Sequence, residues 1–280
     1  MNNNDHDFCY NNKFYGQLQP ALPINRAMKF GDGVFETMRI IDGKLRYIDL
    51  HIKRLCAGLD MLRIEYSAQK INEIKVCIDQ LIARNEIKAG GVIRLTAYRS
   101  GGGRYNPETN QLSYVIESET LGTNHFVLNA KGLKIGVAES VEIIPGPYSA
   151  IKSLNALPYV MAGIEKNDSL NDDLLLLNPE RMIVEATASN IFLVKDKRIY
   201  TPPIEDGCIS GIGRHLLMRH AQKIGLKVNE RSIQLKDLES ANEILLTNAI
   251  KGIEWVSSFK RKRFFNKCAK ILLNSLNQKN

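Results

Sequence analysis

The stretch from Val34 to Ile48 limits the fold most. Val34 to Ile41 is a run of β-formers, Asp42-Gly43 is a tight-turn signal, and Leu45 to Ile48 returns. Residues 25–48 therefore read as a β-hairpin. A helix is expected from Asp49 as N-cap, with Ile52, Leu55, Leu59 and Leu62 on one apolar face. A second helix over about 69–85 repeats Ile71, Ile74, Ile78, Leu81 and Ile82 at the same period. Strands near 91–98 and 112–118 flank a glycine-rich loop, Ser100-Gly101-Gly102-Gly103-Arg104-Tyr105. Together these make a small α+β domain over residues 1–120.

Glu117 to His125 is polar and contains Gly122, so a linker is expected there, carried over 121–130. Beyond it, short strands (133–138, 173–177, 182–185, 190–195, 198–201, 243–247) alternate with helices near 155–166, 211–224 and 263–277. Residues 131–280 thus read as a larger α/β domain with a mostly antiparallel or mixed sheet. A chain of 280 residues is long enough for two such cores.

Composition narrows the function classes. No apolar run approaches the roughly 18 residues of a membrane span. Met1 to Asp7 has no basic start followed by an apolar block, so it reads as a frayed polar tail and the cytoplasm as the compartment. The five cysteines, Cys9, Cys56, Cys77, Cys208 and Cys268, form no CxxC pair, which supports neither a disulfide framework nor a zinc site. His215 and His220 are out of step for one helical face, so no metal site is expected. The formal charge of +8 is densest at Lys260-Arg261-Lys262-Arg263. Without a recognised module this run reads as a solvated turn before a helix, not a nucleic-acid patch. A modest positive excess suits an enzyme whose substrate and cofactor are both anions.

Four stretches carry candidate chemistry. Lys152 lies among small and apolar neighbours in Ala150-Ile151-Lys152-Ser153-Leu154, where lost hydration would make its amine a nucleophile; otherwise it is a surface lysine with a buried stem. Glu185 closes an apolar strand before Ala186-Thr187-Ala188-Ser189-Asn190, and suits a pyridinium N–H partner or a solvated turn. Glycines and Ser210 precede an apolar helix at Gly211-Ile212-Gly213-Arg214, whose first N–H groups suit a phosphate. Arg54 offers a charged fork matched to the same group. A lysine for an aldehyde, a carboxylate for a ring nitrogen, and amides with an arginine for a phosphate are the requirements of pyridoxal 5′-phosphate.

The chain resembles the fold-type IV pyridoxal-phosphate enzymes, the class IV aminotransferase family. That group includes branched-chain and D-amino-acid aminotransferases and 4-amino-4-deoxychorismate lyase. The resemblance runs from Asn25 to Val256 and rests on Phe30-Gly31-Asp32-Gly33-Val34-Phe35-Glu36-Thr37, His51-Ile52-Lys53-Arg54-Leu55, Ile151-Lys152-Ser153-Leu154-Asn155, Glu185 with Asn190-Ile191-Phe192, and Gly211-Ile212-Gly213-Arg214. It implies that Lys152 links covalently to the cofactor, Arg54 and the amides of Ile212 and Gly213 hold its phosphate, and Glu185 meets its ring nitrogen. It also implies a homodimer. The family often has Thr where Gly213 stands. Tyr98 to Tyr105 and Thr247-Asn248-Ala249 look like loops of the lyases, which implies substrate contacts from Arg99, Arg104 and Asn248 and a cofactor contact at Ala249. Phe35 would line the substrate pocket. The branched-chain enzymes tend to place Tyr where this chain has Leu157 and Gly where it has Thr37. A lyase producing 4-aminobenzoate and pyruvate is the leading expectation, and an aminotransferase for branched-chain or related amino acids the alternative.

Overall fold

The computed structural model describes residues 6–16 and 24–278. Two compact units emerge. One holds the chain up to His125 together with Ile151–Asn155; the other holds Phe126–Ala150 and Ala156 onward.

In the first unit the elements run β1 (Phe8–Tyr10), β2 (Lys13–Tyr15), α1 (Arg26–Phe30), β3 (Gly33–Ile41), β4 (Lys44–Leu45), α2 (Ile48–Met61), α3 (Ala68–Arg84), β5 (Gly90–Arg99) and β6 (Leu112–Leu121). They form a six-stranded antiparallel sheet in the order β2-β1-β6-β5-β3-β4. Strand periodicity sends Met38, Ile40, Ile93 and Leu95 to one face. There they join Leu55 and Leu59 of α2 and Ile74, Ile78 and Leu81 of α3 in one buried core.

Several expectations are corrected. Residues 25–32 are not strand. Asn25 caps α1 by accepting from the Met28 amide at 3.0 Å, and Gly31 closes it at a left-handed φ of 63°. The return strand shrinks to Lys44–Leu45, because Tyr47 turns left-handed at φ 57° and starts α2. Asp49 is therefore in the first turn, paired with Lys75, and is not the N-cap. Glu117–Leu121 is not linker but the end of β6, paired in register with β5. The expected loose tail at Met1–Asp5 lies outside the described residues, while Asp7 is tied down by Asn85 and Arg84.

The second unit contains β7 (Leu133–Glu142), α4 (Leu157–Asn167), β8 (Asp173–Leu177), β9 (Met182–Ala186), β10 (Asn190–Lys195), β11 (Arg198–Thr201), α5 (Ile212–Lys223), β12 (Lys227–Glu230), β13 (Ile233–Gln234), α6 (Leu235–Ser240), β14 (Glu243–Asn248), β15 (Gly252–Phe259), β16 (Lys262–Arg263) and α7 (Lys267–Asn277). Its ten-stranded sheet is mixed: β7 runs parallel to both β8 and β15, and β11 to β12, while the other pairs are antiparallel. The central strands β8, β10 and β14 are buried along almost their whole length, which explains their unbroken apolar sequences. The basic run Lys260–Arg263 is the tip of the β15–β16 hairpin. His220 is buried and bonds Ser275, so it packs α5 to α7. No helix among the described residues is long and apolar enough to cross a membrane.

Candidate active site

In the first unit the Lys152 segment is stitched to the start of β3. The Phe35 amide donates to the Lys152 carbonyl at 2.9 Å, the Leu154 amide donates to the Gly33 carbonyl at 3.0 Å, and Val34 bridges Ser153. Such an approach requires glycine at 33, since a Cβ there would meet the Ala97 carbonyl at 2.4 Å and Leu154 at 2.9 Å. Asn155 Nδ2 adds a bond to the Gly31 carbonyl at 3.3 Å. The Phe30-Gly31-Asp32-Gly33 motif is thus a receiver for the lysine segment. Lys152 Nζ lies 4.2 Å from the centre of the Phe35 ring.

A residue the sequence reading missed shares that ring. The Arg94 guanidinium is also 4.2 Å from the Phe35 centroid. In the β3–β5 register Phe35 opposes Thr96 and Thr37 opposes Arg94, so all four stand on one sheet face. That face is polar beside the lysine. The signal was available in the alternation of β5, where Arg94 interrupts buried neighbours.

Arg54 points from α2 onto β3. Its Nε donates to Glu36 Oε1 at 2.7 Å and its Nη2 to Glu36 Oε2 at 2.5 Å, while His51 Nδ1 is 2.7 Å from Oε2. Burial works to raise the Glu36 pKa, but the bonds and charges of Arg54 and His51 outweigh it and hold the carboxyl below its ordinary value. Glu36 therefore fixes the plane of the guanidinium.

Arg99 departs from the expected substrate contact. It is buried, with Nε on Asp32 at 3.0 Å, Nη1 on the Arg63 carbonyl and on Asn110, and Nη2 on the Leu62 carbonyl at 2.6 Å. These bonds commit the guanidinium to structure. Asp32 also takes Arg26, whose Nη1 holds the carbonyls of Gly102 and Arg104. Those bonds secure the glycine-rich loop through its backbone. The Arg104 side chain itself is exposed, with no hydrogen bond or ion pair among the described residues.

The second unit carries the other constellation. Glu185, 3% exposed, accepts from Tyr159 Oη at 2.6 Å, Asn190 Nδ2 at 3.1 Å and the Ile209 amide at 3.3 Å. Tyr159 and Asn190 had no predicted role. At the start of α5 the N-cap is Gly211, with no side-chain cap and no acidic residue in the first turn. Ile212 and Gly213 begin the helix. A Cβ on Gly213 would meet Thr247 Oγ1 at 2.7 Å and the Asn248 backbone at 2.9 Å. The helix start is thus an amide cradle that closely adjoins the end of β14. Asn248 is committed locally: its Oδ1 accepts from the amides of Ile250 and Lys251, and its Nδ2 donates to Ser189. Ala249 is half-buried in the turn after it.

Residues 33–259 match the family described as amino-transferase class IV, and the chain belongs to that family. It is accordingly a pyridoxal-phosphate-dependent enzyme of a fold-type IV architecture. An aminodeoxychorismate lyase of Vibrio harveyi is 26% identical, covering 86% of this chain and 89% of its own. A D-alanine aminotransferase of Listeria monocytogenes is 29% identical, covering 80% and 77%. The crystal structure of a branched-chain aminotransferase from Thermoproteus uzoniensis superposes with a TM-score of 0.87 at 21% identity, covering 97% and 93%. The residues present fit the cofactor: a helix start free of side-chain caps, a buried carboxylate held by donors, and a lysine on an aromatic ring.

Proposed function

We propose that this enzyme is a lyase acting on 4-amino-4-deoxychorismate, releasing 4-aminobenzoate and pyruvate. The polar sheet face of Thr37, Thr96 and Arg94 beside Lys152 carries this reading. An aliphatic side chain would leave those groups without partners, whereas a substrate with two carboxylates gives the guanidinium a matched anion. The exposed Arg104 on its backbone-anchored loop supplies a second cation.

The bound cofactor supplies an electron sink for charge left on the substrate. Lys152 Nζ would hold the group at rest and, once freed as an amine, would take the proton from the amine-bearing carbon. Phe35 positions that amine by its ring and its amide. Arg54, oriented by Glu36, and the first amides of α5 hold the phosphate. Glu185 meets the ring nitrogen. As the family implies, the working form is a homodimer, which light scattering measures directly.

The test is incubation with chorismate, ammonia and an aminodeoxychorismate synthase, with 4-aminobenzoate read by fluorescence. Its absence, with conversion of the bound cofactor to its amine form by L-leucine or D-alanine, would establish the second reading. The similarity to a D-alanine aminotransferase over 80% of the chain favours that aminotransferase alternative.

A further inference from the structure

Tyr159 sits in the first turn of α4, where its neighbours Leu157 and Val160 point to solvent while Tyr159 turns inward. Its hydroxyl donates to Glu185 Oε1 at 2.6 Å, shorter than the bonds from Asn190 and the Ile209 amide. The other donors have further ties or reach: Asn190 Nδ2 also serves the Ile209 carbonyl at 2.9 Å, and the Ile209 amide is shared between both carboxylate oxygens at 3.3 Å. Tyr159 thus contributes a hydroxyl from α4, whose Ala162 shares a buried cluster with Val184 of the carboxylate's own strand. Burial and then the Glu185 charge push the phenol far above its ordinary value, so it stays a donor. Burial, then the same charge, push the nearby Cys208 thiol up to about 12, leaving it neutral.

We propose that Tyr159 is a positioning residue that holds the Glu185 carboxylate charged and aimed for the ring nitrogen of the bound cofactor. The proposal rests on the cofactor assignment above and adds a residue to it. A short donor to one oxygen favours the anion and fixes its rotamer. Neither Asn190 nor the Ile209 amide can take over Oε1 at comparable length.

The experiment compares wild type, Tyr159→Phe, Glu185→Gln and the double variant. Each is loaded with pyridoxal 5′-phosphate, and the visible absorbance and cofactor dissociation constant are read at one pH. Phenylalanine keeps the ring, and unchanged far-UV circular dichroism checks the fold. Tyr159→Phe should shift the visible band and weaken cofactor retention about tenfold, the worth of one hydrogen bond to a charged group. In the Glu185→Gln background the same change should have no further effect. An unshifted band with unchanged affinity in Tyr159→Phe would overturn the proposal, whatever happens to thermal stability. So would a full shift persisting on Glu185→Gln, because Tyr159 would then act elsewhere. Failure of the wild-type chain to take up the cofactor would remove the cofactor assignment first, and is read independently of the variants.

Discussion

Phe35 and Lys152 are joined twice, by an amide-to-carbonyl bond of 2.9 Å and by a ring-to-ammonium distance of 4.2 Å. Only the second contact involves the lysine side chain. Lys152→Ala should abolish the visible absorbance that develops with pyridoxal 5′-phosphate. A persistent visible band in that variant would move the covalent link to another residue.

Arg99 and Arg104 should behave oppositely. Arg99→Met leaves Asp32, Asn110 and two carbonyls short of a donor, and should destabilise the protein by about 3 kcal/mol. Arg104→Ala removes an exposed side chain and should leave the unfolding midpoint in place while raising KM for an anionic substrate. Denaturant titration with steady-state kinetics separates the two; equal loss of stability in both would contradict the assignment.

Gly213 should resist the threonine that the resemblance leads one to expect there. A Cβ there has no room against Thr247 and the Asn248 backbone, so Gly213→Thr should cost about 1–3 kcal/mol and weaken cofactor binding instead of adding a hydroxyl contact. Equilibrium dialysis of the cofactor against this variant reads the direction; tighter binding would show that the strand end can retreat.

Acid should weaken the fold in two stages. Burial, then Lys223 and Arg219, hold the His220 pKa below its ordinary 6.5, so the unfolded chain takes that proton first. Its stabilisation is present above 6.5 and declines as pH falls below it. Glu36 is held below its ordinary 4.5 and Asp32 below 3.8, each despite burial, by their arginine partners. Their share is present above those values and is lost as pH falls toward the depressed ones. Urea midpoints between pH 8 and 3 should show a shallow decline and then a steep one. Glu36→Gln should flatten the steep part.

Much of the fold was legible from periodicity. The apolar steps of Ile52, Leu55 and Leu59, or of Ile74, Ile78 and Leu81, name the buried faces of α2 and α3 directly. The strand-rich reading of 25–32 failed because two short cap signals, Asn25 and Gly31, outweigh five residues of weak preference. Motif spacing singled out Lys152, Arg54, Glu185 and Gly213 as candidates. Arg99 was expected at the substrate because its loop resembles that of the lyases, whereas its partners Asp32, Arg63 and Asn110 are set by the fold. Arg94 showed only as a break in the alternation of β5, and Tyr159 gave no signal; register places one opposite Thr37, and a helix turn aims the other at Glu185.

The main-chain stitching of residues 152–155 to Gly33–Phe35 separates where Lys152, the proposed nucleophile, stands from what surrounds it. Amino-acid replacements at Thr37, Arg94 or Thr96 can redraw the neighbourhood while the anchoring bonds persist. A lineage can in this way trade one amine substrate for another by altering a few outward-facing strand positions, and the same scaffold can support divergent chemistries without reinventing its reactive centre.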